Sequence, residues 1–79
     1  MKPTVGRAVH YQAFGTPGGE YASLPRAATV TVTQAEDPKI ADEMTVGLMI
    51  ANPTGLFFNQ AVPYSEAPKA GHWNWPPRV

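Results

Sequence analysis

The chain is 79 residues long, and its six basic and six acidic side chains cancel. So short a chain forms one domain, residues 1–79, and the missing basic excess excludes a general binder of duplex nucleic acid. With no cysteine, disulfide staples and thiolate metal sites are excluded too, so tight packing and self-association must add what one small core cannot supply.

Nine prolines and seven glycines break the chain too often for long helices. Between the breaks lie runs with the period-two alternation of half-buried strands. VGRAVHYQAF (residues 5–14) places Val5, Arg7, Val9, Tyr11 and Ala13 on one face and Ala8, His10, Gln12 and Phe14 on the other. GTPGGEY (15–21) follows as a turn, with proline presetting one φ and glycine accepting φ > 0. AATVTVTQ (27–34) alternates most cleanly: Ala28, Val30 and Val32 against Thr29, Thr31 and Thr33. QAEDPKIADEM (34–44) has room for one helical turn.

MTVGLMIA (44–51) is the third run, with Met44, Val46, Leu48 and Ile50 aligned. NPTG (52–55) carries proline second and glycine fourth, a type I pattern that predicts a hairpin into LFFNQAVPY (56–64). APKAG (67–71) is a loop. In HWNWPPRV (72–79), Trp73 and Trp75 share a face, and Pro76 and Pro77 stop any final strand. The expected fold is all-β, a small SH3-like barrel or sandwich of four to six short strands. The tail is expected to cover an exposed sheet edge.

The chemistry points to binding. His10 and His72 stand apart, without carboxylates at ligand spacing, so no metal or other cofactor is expected. Ser23 and Ser65 lack a nucleophile elbow, and the acidic cluster Glu36, Asp37, Asp42 and Glu43 reads as a solvated connection. The glycine-rich turn lacks the Lys-Ser/Thr ending of a phosphate loop. No enzyme is expected. Eight aromatics in this length offer ring faces, on which a nucleobase stacks with about 1–3 kcal/mol each. Beside them Arg7, Arg26 and Arg78 offer guanidinium forks that can hold phosphates bidentately, while the same rings also suit core or subunit packing. No apolar run approaches the ~20 residues of a spanning helix, and no signal-peptide core is evident, so no membrane association is expected.

PTVGRAVHY, GTPGGEY, NPTGLFFNQAVPY and GHWNWPPRV together resemble a family of short proteins from tailed phages, prophages and actinobacterial genomes. The family's marks are a GR-x-VHY start and a G-x-W-x-WP-x-RV end, spread over nearly the whole chain. The resemblance implies phage origin and a place in the host cytoplasm, and brings no established site residues. Among small phage proteins two roles stand open. One is a counter-defence sponge that sequesters a nucleotide-derived immune signal, of the cyclic ADP-ribose (Thoeris) or cyclic oligonucleotide (CBASS) type, without cleaving it. The other is a virion accessory, in capsid decoration or at the head–tail junction. For a sponge, Trp73 and Trp75 are the expected ring platforms, Arg7 and Arg78 the phosphate ligands, and Asn59 and His10 the readers of polar edges. Phe57 would wall the pocket, and a homo-oligomer would enclose the small nucleotide ligand between subunits.

Overall fold

The computed structural model describes residues 2–15, 24–53 and 55–77. Its regular elements are strands: β1 (Ala8–Gln12), β2 (Pro25–Val32), β3 (Val46–Asn52), β4 (Gly55–Val62) and β5 (Trp73–Asn74). They form one five-stranded sheet in the order β4-β3-β2-β1-β5, with every adjacent pair antiparallel. A four-strand meander whose fifth strand returns beside the first is an all-β architecture consistent with a small SH3-like fold. The hairpin from β3 to β4 closes on the pair Asn52↔Gly55, at the NPTG turn. Residues 34–44 form turns and bends, with no helix among the described residues. Most of the GTPGGEY turn lies outside the described residues.

Register decides which side chains face inward. The ladder aligns Val9 with Ala28, Ala28 with Ile50, and Val30 with Leu48. These residues are all buried and, with Tyr11, Val46, Val62 and Trp73, make the core. The alternation of PRAATVTV thus does its expected work: Ala28 and Val30 go in while Thr31 stays exposed.

Curvature comes from two irregularities that meet at Gly47. Thr31 and Val32 together oppose Gly47 where the β2–β3 register shifts, and the β3–β4 register shifts opposite the same residue. Bulges raise local twist and let a small sheet coil. Glycine is required there by space: a Cβ on Gly47 would lie 2.5 Å from Val32 Cγ1 and 3.1 Å from Thr31 Oγ1. Gly47→Ala is expected to destabilise the fold by about 1–3 kcal/mol through overpacking. Urea denaturation followed by circular dichroism reads this directly, and an unchanged midpoint would remove Gly47 from the curvature argument.

Closure is completed by the chain after β4. Trp73 donates its N–H to the Pro63 carbonyl at 3.0 Å and accepts from the Ser65 N–H at 3.0 Å, forming a parallel bridge between Tyr64 and Trp73. Because β5 also pairs with β1, this end of the sheet is hydrogen-bonded back on itself. The indole joins a third segment: Trp73 Nε1–H donates to the Met44 carbonyl at 2.8 Å. Met44 is held in turn by the Asp42 carboxylate, which accepts the N–H groups of Met44 at 2.9 Å and Thr45 at 2.8 Å. At the start of the same connection Thr33 and Glu36 cap each other. The Thr33 hydroxyl, and then its backbone N–H, donates to Glu36 and holds that carboxyl below the ordinary carboxylate range.

Candidate ligand-binding site

The inward face of the sheet is longer than the core that fills it. At one end Trp73, edge-on to Tyr64 and Trp75 and hydrogen-bonded to the Met44 carbonyl, is buried in one cluster with Val46, Leu48 and Val62. At the other end the same face carries Tyr11, Arg26, Ile50, Asn52, Phe57 and Asn59. The cross-strand partners Tyr11↔Arg26, Ile50↔Phe57 and Leu48↔Asn59 put them there. This uncovered half is a cavity of about 580 Å³, further lined by Ala13, Phe14, Gly15 and Phe58. Small-molecule sites span about 300–1,000 Å³ and are mostly apolar, with a few convergent polar groups.

Four rings surround the cavity. Tyr11 is buried in its floor, while Phe57, Phe58 and Phe14 are 63%, 70% and 71% exposed. Their faces therefore remain open to stacking. Phe14 is seated by Gly71, whose backbone has φ +78° and whose N–H donates to the Gln12 carbonyl at 2.9 Å. A Cβ on Gly71 would lie 2.5 Å from Phe14 Cζ, so glycine there both permits the left-handed turn and leaves room for the ring.

The polar side chains are two amides, Asn52 and Asn59, the Tyr11 phenol and one guanidinium. Arg26 is the only charged side chain among the described lining residues, and no carboxylate stands among them. Its Nε is shut off from solvent and has no hydrogen-bond partner among the described residues. A buried, unpaired donor costs roughly 1–3 kcal/mol, a local cost of the kind proteins carry at functional sites. A guanidinium between ring faces suits a planar, anionic ligand, since its fork of N–H donors matches phosphate and carboxylate oxygens.

The expected site residues fall in different places. Phe57 and Asn59 line the cavity together. Trp73 does not: it is 0% exposed, with its indole N–H committed to Met44, so it has no ring face for a ligand and is corrected to a core residue. Trp75 is half-buried, its ring edge-on to Trp73 at 5.1 Å and 87°. The Arg7 guanidinium lies 5.5 Å from the Trp75 ring centroid, a cation–π contact made within the fold. Arg7 and Trp75 thus come together, yet neither lines the cavity. His10 pairs with Ala27 and Asn74, on the sheet face opposite its neighbours Val9 and Tyr11, and is also corrected out of the cavity. Arg78 lies outside the described residues.

Sequence reasoning weighed Arg26 as a phosphate ligand yet left it out of the expected site, along with Phe58, Phe14 and Asn52, which also line the cavity. One signal was present: Arg26 precedes Ala28 and Val30 at the same two-residue spacing, so a strand begun two positions earlier carries a cation on its inward face. No protein-family model matches the chain, and no curated protein or solved structure matches it.

Proposed function

We propose that this protein binds a nucleotide-derived signal in the Tyr11–Arg26–Phe57 cavity and sequesters it, acting for a phage as a counter-defence sponge. The observation that carries this reading is the unpartnered Arg26 Nε beside ring faces and amide edges. A base stacks on Phe57 or Phe14, Asn52 and Asn59 read its polar edge, and Arg26 takes the phosphate. Rings, amides and a guanidinium hold a ligand without taking or giving its protons, so sequestration depends on affinity and abundance. The phage setting rests on the resemblance of the sequence motifs. The working form is a homo-oligomer in the host cytoplasm.

A thermal-shift panel of cyclic ADP-ribose isomers and cyclic di- and trinucleotides tests the reading. Ligand at 100 times its dissociation constant adds about 2.7 kcal/mol, a rise of roughly 10–20 °C in a domain of this size. The shift is expected for one nucleotide class, with the ligand recovered intact. No shift across the panel would sink the proposal, and a cleaved ligand would replace sequestration by turnover. The exposed apolar stretch of β4 favours a second reading, a virion accessory that docks on a capsid. Co-sedimentation with virions, together with a silent nucleotide panel, would establish it instead.

A further inference from the structure

Among the described residues, strand β4 is an open edge of the sheet. It pairs with β3 on one side only, and every residue from Gly55 to Ala61 is exposed. Edge strands in soluble proteins are normally protected by charge, proline or a covering segment. GLFFNQAV has neither a charged residue nor a proline, and Leu56, Phe57 and Phe58 are each more than half exposed. Phe57 and Phe58 lie opposite Ile50 and Met49 on successive positions of the ladder, so each face of this edge carries an exposed ring.

We propose that β4 pairs antiparallel with β4 of a second copy, joining two sheets across a twofold axis and closing the side of each cavity with the partner's ring edge. Three features select a second copy as the occupant. An uncharged strand offers nothing for an acidic or basic partner to recognise, while two copies of it meet without repulsion, on a chain whose net charge is zero. Antiparallel pairing about a twofold axis is self-complementary, since each residue's contact is repeated by symmetry. The area also suffices. A Phe ring buries about 150–250 Å², so Phe14, Phe57 and Phe58 at their exposures of 71%, 63% and 70% offer about 300–500 Å² per copy. Doubled, with Leu56 and the strand backbones added, this reaches the ~1,200 Å² at which specific interfaces begin.

The role of the partner's rings at the cavity rests on the sponge reading; the interface itself does not. Sedimentation equilibrium without nucleotide is therefore the first test. The wild type is expected at twice the 8.5 kDa of one chain, and Leu56→Lys, which lies outside the cavity lining, at the mass of one chain with an unchanged β spectrum. Because the chain has no cysteine, single substitutions along residues 56–60 provide a second test that does not depend on Leu56→Lys folding. Disulfide cross-linking is expected to peak at Phe57→Cys or Phe58→Cys, the positions nearest the axis, and to fall off on either side. A monomeric wild type, a dimer indifferent to a folded Leu56→Lys, or a flat cross-linking profile overturns the interface. A monomer that associates only on capsids overturns it in favour of virion docking. A dimer that ignores the nucleotide panel sinks the sponge reading and leaves the interface standing.

Discussion

Trp73→Ala is expected to unfold the domain. The side chain is completely buried, packs edge-on against both Tyr64 and Trp75, and sits where β1, β5 and the segment after β4 meet. Truncating a buried Trp costs about 3–5 kcal/mol. Leaving the Met44 carbonyl without its 2.8 Å donor adds about 1–3 kcal/mol if no water replaces it. A single small core rarely provides more than about 3–5 kcal/mol, so the losses match the whole stability. Trp73→Phe keeps a ring and loses only the donor and some volume, so it is expected to fold with a lowered urea midpoint. Circular dichroism through a urea series separates the three proteins. A Trp73→Ala protein that folds normally and fails only to bind nucleotide would restore Trp73 as a ring platform.

The two tryptophans show how far a sequence of this kind can be read. Alternation located the strands because a two-residue period is a local property, and Ala28, Val30, Leu48 and Ile50 all point where it says. It does not say how much of the inward face is covered. Trp73 and Trp75 look like binding rings because they sit beside His72, Asn74 and Arg78, as a recognition motif would. Trp73 is placed by the return of β5 to β1, a pairing that spans most of the chain, and by the bridge to Tyr64, and neither is announced by the residues beside it. At β4 alternation does not say that the strand falls at the sheet edge and leaves its rings exposed, because strand order is a property of the whole fold. Asn59 and Phe57 were found through their composition, an amide among rings. Arg26 was weighed as a phosphate ligand and left out of the expected site; with the strand started at Ala27, its place on the inward face stayed unread.

Arg26→Met is expected to raise the melting temperature while removing the ligand. The two effects have one cause. Arg26 Nε is buried without a partner among the described residues, so the ligand-free protein bears a desolvation cost of about 1–3 kcal/mol. The residue as a whole is only half-buried and lines the cavity, which places the cost near the lower end. Methionine keeps an unbranched chain of similar reach and carries no donor. Relief of about 1 kcal/mol corresponds to roughly 4–8 °C in a domain of this size. In the complex the same group would make charge-assisted hydrogen bonds worth about 1.5–3 kcal/mol, so its loss lowers affinity by roughly 10- to 150-fold. Arg26→Lys keeps the charge without the planar fork and is expected to bind at an intermediate level. Stability that rises as affinity falls is the mark of a group kept for a ligand. If Arg26→Met instead melts lower and binds nucleotide as well as the wild type, Arg26 is a structural residue, and the cavity loses the one charge that made it a site for an anion.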